Sequence, residues 1–209
     1  MADEWFRSPE WTEEAKADFE ARLKRARFHG TQYLRIKGLS LHAAGHVEGA
    51  RELWLRVLER DGEADWLQQQ ASLEHLADSY ASTDPDVSES YYRRLMRQPR
   101  LPNGTTMAYQ VSLAELLLRR GTEADVSEAG ELLAAWKANT SVPFSSVHFR
   151  WELALIDLAE ATGQPDVVRD AARRALDLAE QGPVFPRHKT VGVVEADQET
   201  LARLERLAR

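Results

Sequence analysis

The residues with the most obvious chemistry are six histidines: His29, His42, His46, His75, His148 and His188. His42 and His46 are four apart, a spacing that places two imidazoles on one face of a helix and suits a zinc site. Two features argue against it. Gly45 stands between them at an expected turn, and Ala43 follows His42 where a metalloprotease helix carries glutamate. Glu48 is the nearest further ligand. "HFRWELALIDLAEA" offers Glu152, Asp157 and Glu160. Paired carboxylates can do acid–base work, or bind metal beside Glu-x-x-His motifs in a helical bundle; the chain has no such motif, and solvated face residues are the expected reading. Glu74 and His75 are neighbours, so a helix points them apart. Glycine-rich phosphate loops, a nucleophile elbow and an EF-hand loop are all missing, and the absence of cysteine removes thiolate chemistry. The expectation is no catalytic residue, no cofactor and no metal. An enzyme or small-ligand binder with a site assembled in space is the weaker alternative.

The elements that carry these residues read as helices. Short breaks such as "STDPD", "RRGTEAD" and "TGQPD" separate segments rich in Ala, Leu, Glu and Arg, with apolar residues every three or four positions. A first helix is expected with Ser8 as N-cap, Pro9 at its first position, a Trp11–Ala15–Phe19–Leu23 stripe and Gly30 as its end. "KTVGVV", Lys189 to Val194, is the one segment that reads as extended. A last helix from about Asp197 carries Leu201, Leu204 and Leu207.

"GLSLHAAGHVEGARELW", Gly38 to Trp54, shows a deeper regularity. Leu34, Gly38 and Leu41 precede the turn glycine Gly45, and Ala50, Trp54 and Val57 follow. Leu76, Ala77, Tyr80, Ser88, Tyr92 and Leu95 form a second such unit. Leu113, Ala114, Leu117, Gly121, Ala129, Leu133 and Trp136 form a third. The fourth runs Leu155, Ile156, Ala159, Gly163, Val168, Ala172, Ala175, Leu176. Small residues let paired helices approach closely, and large ones fill the grooves between pairs. The pattern resembles the tetratricopeptide (TPR) repeat, over roughly Thr31 to Glu180, with Gly62 in place of the usual closing proline and Leu95 and Ile156 where small residues are usual.

The resemblance implies an all-α chain: a right-handed stack of antiparallel helix pairs, a TPR-like α-solenoid of about four degenerate repeats. Residues 1–30 form an N-terminal capping helix, 31–182 the repeats, and 183–209 a C-terminal extended segment and capping helix, all in one structural domain. It also implies that the first helix of each pair lines a concave side. Arg35, His42, Glu74, Asp78, Glu115, Arg150 and Asp157 then face that groove, acidic at its centre and basic at its ends. The Lys, Arg and Asn clamp by which some TPR domains hold a carboxylate is not present.

With 34 acidic against 27 basic residues the net charge is −7, which opposes nucleic-acid binding. No apolar run reaches membrane-spanning length and the N-terminus has no secretory signal. The expectation is a cytoplasmic, bacterial, non-enzymatic interaction module: an adaptor or scaffold that takes a basic or amphipathic peptide or helix. The competing expectation is a homodimer formed through the tail, whose Phe185, Val191, Val193 and Val194 otherwise pack back as a cap.

Overall fold

The computed structural model describes residues 4–26, 28–60, 65–99, 104–185 and 187–209. These residues contain ten α-helices, a short 3-10 helix at Trp5–Arg7 and no strand. In chain order the helices are α1 (Glu13–Arg25), α2 (Gly30–Ala43), α3 (Val47–Leu58), α4 (Trp66–Tyr80), α5 (Pro85–Met96), α6 (Tyr109–Arg120), α7 (Glu123–Asn139), α8 (Ser145–Ala161), α9 (Pro165–Ala179) and α10 (Gln198–Leu207). The expected units fall on α2–α3, α4–α5, α6–α7 and α8–α9, and each of these neighbouring pairs packs together. Gly62, read as the close of the first unit, lies outside the described residues. The chain divides into two compact units, 1–106 and 107–209, with the boundary just after the break "RQPRLPNGT".

In unit 1, α4 lies against both α2 and α3. The core holds Leu34 and Leu41 of α2, Ala50, Leu53, Trp54 and Val57 of α3, and Leu76 of α4. Gly38 explains the closeness of α2 and α3: a Cβ there would lie 2.4 Å from the Trp54 indole nitrogen. Only glycine leaves room for the ring, and the indole N–H then donates to the Arg35 carbonyl at 3.2 Å. Gly45 makes the tight turn between the helices at φ +85°, a conformation that costs glycine little.

The chain before α2 departs from expectation. The first helix begins at Glu13, capped by Thr12, whose hydroxyl accepts from Ala15 N at 3.2 Å. It ends at Arg25, and Gly30 opens the next helix. Ser8 to Trp11 is not helical because the buried Lys37 ammonium claims its carbonyls, donating to Ser8 O at 2.6 Å and Glu10 O at 3.0 Å. Lys37 Nζ also sits 5.4 Å and 5.6 Å from the Trp11 and Phe19 ring centres. Trp5, Phe6, Trp11 and Phe19 cover this end of the core, joined by Tyr33.

In unit 2, α8 lies against both α6 and α7, and α10 packs on α9. Trp136 of α7 is 1% exposed and donates its indole N–H to Met107 O at 2.7 Å. Thr122 and Asp125 form a reciprocal capping box at the start of α7. "KTVGVV" is not extended: it turns through Gly192 at φ +74°. A Cβ on Gly192 would fall 2.3 Å from the Phe144 ring, and Gly192 O accepts from Ser146 N at 3.0 Å. The tail therefore folds back onto α8. Val194, Leu204 and Leu207 join the core of Ile156, Val168, Ala172 and Ala175.

Candidate functional site

The seven residues expected to line a groove meet different fates. Glu74 is 2% exposed, and its carboxylate accepts from the Thr106 amide at 2.7 Å and from the Thr106 hydroxyl. Asp78 is exposed and accepts from the Tyr92 hydroxyl. In unit 2, Glu115 takes a two-pronged contact from Arg150, Nη2 to Oε2 at 2.6 Å and Nε to Oε1 at 3.2 Å, while Arg150 also donates to Ser112. Asp157 and Glu160 share Arg203 of α10 at 3.0 Å and 2.8 Å. The carboxylates expected to make the groove acidic are thus all engaged inside the fold. Glu152, also weighed for chemistry, is buried and held by Arg174 at 2.9 Å.

Arg35 is the exception. It is half-buried on α2, and among the described residues no carboxylate lies within ion-pair reach of it. Its Nε donates to Gln68 Oε1 of α4 at 2.6 Å, and its Nη1 lies 3.4 Å from His75 Nε2. Burial first, and then the nearby positive charge of Arg7, lower its pKa. Arg7 itself pairs with Glu4 at 3.1 Å. Burial likewise pushes His75 down to about 4, assisted by the charges of Arg35 and His42. At neutral pH the pair is therefore a guanidinium against a neutral imidazole.

Trp54 is the floor of this cluster. Its ring centre lies 5.6 Å from that of His42 and 5.2 Å from that of His75. His42 and Leu39, the latter 38% exposed, continue the Arg35 side of α2 toward solvent. Gln68 also lines a cleft of about 630 Å³ between the α1–α2 connection and the start of α4, which Lys24, His29 and Arg60 border together with Asp65. Sequence reasoning placed Arg35 and His42 on this face but chose Glu74 for α4. The facing residues are Gln68 and His75, seven apart, and Glu74 turns inward. No spacing along the chain signals this: the His75 ring meets Trp54, tilted by 43°, only once α3 and α4 pack.

The histidine pair read as a metal candidate is separated by the turn, with His42 in the last turn of α2 and His46 just before α3. Among the described residues no group of three or more His, Asp or Glu side chains is arranged to hold a metal ion, and no helix is long and apolar enough to cross a membrane. No known protein family matches the chain, no curated protein is similar to it, and no solved structure matches its fold.

Proposed function

We propose that the chain is a non-enzymatic protein-interaction module, an adaptor or scaffold built from helix pairs of the tetratricopeptide kind, and that it holds a segment of another protein along the α2–α4 side of unit 1. One observation carries this reading: the strip Arg35, Leu39, His42 combines a cation that has no carboxylate partner among the described residues with an exposed apolar side chain. A half-buried guanidinium with unused donors is a place where a ligand's opposite charge can be received, unlike the Lys37 ammonium, which main-chain carbonyls satisfy. The expectation of an acidic groove for a basic segment is replaced here by a strip led by Arg35, because the acidic side chains expected there are hydrogen-bonded or ion-paired within the fold.

A photo-crosslinking residue at Leu39, compared with one at Leu55 on α3 (40% exposed), tests the reading. The Leu39 probe is expected to give one discrete adduct in a lysate of the source cells. The adduct's protein, once purified, should bind wild type and lose at least tenfold in affinity to Arg35→Gln. Equal labelling from both probes, or none from Leu39, would end it.

A second reading rests on the tail, where Val184, Phe185 and Val191 are each more than 40% exposed. In this reading they pair two copies, and Phe185→Asp with Val191→Asp converts a dimer to a monomer in light scattering. A monomer in the wild type at high micromolar concentration removes it.

A further inference from the structure

We propose that the Arg35–His75 pair is a binding site for a carboxylate, presented by an acidic segment of the partner protein; this rests on the interaction-module reading and names the chemistry of its ligand. The argument begins with the free geometry of the guanidinium. Nε is committed to Gln68 at 2.6 Å, which fixes the plane of the group. Among the described residues Nη2 has no hydrogen-bond partner, and Nη1 has only the long contact to His75. The Nη1–Nη2 edge is the fork that receives a carboxylate through two parallel hydrogen bonds. A carboxylate seated there also stands beside His75 Nε2.

The comparison with the other arginines of the fold makes the point specific. Arg51, Arg56, Arg93, Arg120, Arg150, Arg174 and Arg203 each reach an aspartate or glutamate of the chain itself, and those without such a pair among the described residues, such as Arg25, Arg60, Arg94 and Arg206, are exposed, whereas Arg35 is half-buried. Among the described residues Arg35 hydrogen-bonds neutral neighbours only, and a second cation, Arg7, acts on it. Its place in an acidic protein is that of a charge whose counter-ion arrives from outside.

Charge also selects among oxyanions. Near neutral pH the pair carries one positive charge, because His75 is neutral and Arg7 is already paired with Glu4. A carboxylate monoanion matches that charge, whereas a phosphate dianion leaves one charge uncompensated in a half-buried setting. A segment rather than a lone small acid is favoured by the surroundings. Leu39 and His42 extend the contact along α2, and the cleft beside Gln68 is bordered by Lys24, His29 and Arg60. Further carboxylates of the same segment would meet Lys24 and Arg60 rather than Asp65.

The groups facing His75 are Arg35 and His42 from α2, Arg7 from the N-terminal segment acting through Arg35, and the uncharged Trp54 from α3. All the charged ones disfavour its proton. A bound carboxylate reverses that balance, so ligand binding and His75 protonation are coupled and each strengthens the other.

The test uses the full chain in solution NMR. The reporters are the Trp54 indole N–H and the His75 ring protons, and the probes are acetate, inorganic phosphate and chloride at matched ionic strength. Acetate is expected to shift both reporters to saturation in the millimolar range, with phosphate weaker and chloride without effect. In saturating acetate the His75 pKa should rise by at least about one unit, a tenfold gain in proton affinity. Arg35→Gln should abolish the saturable shift. Should that variant misfold, the His75 pKa of the wild type with and without acetate decides alone. Acetate shifts no larger than those of chloride, shifts retained in a folded Arg35→Gln, or tighter binding of phosphate than of acetate would each overturn the proposal. A Leu39 adduct without an acetate response removes the carboxylate and keeps the interaction module. An acetate response without an adduct removes the protein segment as its source and with it the proposal as stated.

Discussion

The two units share a packing device and differ in how they treat charge. Each places a tryptophan at 1% exposure on the second helix of its first pair, Trp54 on α3 and Trp136 on α7. Each indole donates to a main-chain carbonyl, of Arg35 or of Met107. Each ring then meets a histidine from the first helix of the next pair, His75 at 5.2 Å and His148 at 5.3 Å. There the parallel ends. His148 hydrogen-bonds the Val142 carbonyl at 2.8 Å, and the arginine of that neighbourhood, Arg150, is answered by Glu115. His75 instead faces an arginine that, among the described residues, has no answering carboxylate. One frame is thus closed electrostatically and the other left open, so the open one is where a partner's charge gains most.

Breaking the shared frame should have the largest effect. Trp54→Ala and Trp136→Ala should each cost about 3–5 kcal/mol in urea unfolding, since both remove a fully buried ring. A near-neutral value for either would mean that its tryptophan is not the keystone of its unit.

The next effect separates the units by pH. His75 binds its proton less tightly folded, at about 4, than in the unfolded chain, where the ordinary value is 6.5. Between those limits the unfolded state holds more protons. Its contribution is therefore fully present above about pH 6.5 and is lost as pH falls toward 4, by up to about 3 kcal/mol. Urea midpoints of wild type and His75→Phe should converge on acidification across that window. Parallel curves would mean that His75 is not desolvated in solution.

A smaller effect tests why only unit 1 needs a glycine on its first helix. Gly38→Ala drives a methyl against the Trp54 indole and should cost about 1–3 kcal/mol. In a Trp54→Ala background the same change should cost less than about 0.5 kcal/mol, the coupling of two residues in contact. The α6 helix has no glycine, so its tryptophan is seated without that device.

The smallest effect concerns the charges themselves. Glu115→Gln leaves Arg150 without its acidic partner at a partly exposed site and should cost under about 1 kcal/mol. Arg35→Gln should cost no more than about 1 kcal/mol, the hydrogen bond to Gln68, because no ion pair among the described residues is lost. A clearly destabilising Arg35→Gln would assign Arg35 a structural role and weaken the contrast between the units.

Much of the architecture was legible from residue types. Small and large apolar residues at helical spacing located all four helix pairs, because that pattern records which side of a helix must be buried. Gly45, Gly121 and Gly163 marked turns where φ is positive. The start of α1 was misread at Ser8 because Ser-Pro is a good local cap signal, yet the competing partner, Lys37, lies about thirty positions away. "KTVGVV" was misread for a similar reason. Its β-branched residues favour an extended chain locally, but Gly192 turns it so that the Phe144 ring can pack.

The candidate site divides along the same line. Helical periodicity alone put Arg35 and His42 on one side of α2. Whether a charged residue is free or neutralised depends on what stands opposite, and that is settled between elements distant in sequence: Glu74 with Thr106, Glu115 with Arg150, Asp157 with Arg203. The sequence by itself determined that this is a chain of paired helices with buried tryptophans at their seams, since burial follows from the spacing of apolar residues along a single helix. Only the tertiary structure decided that the acidic side chains expected in the groove are engaged within the fold and that Arg35, among the described residues, meets no carboxylate, since a charge is compensated by neighbours in space, at distances of about 3 Å that no spacing along the chain encodes.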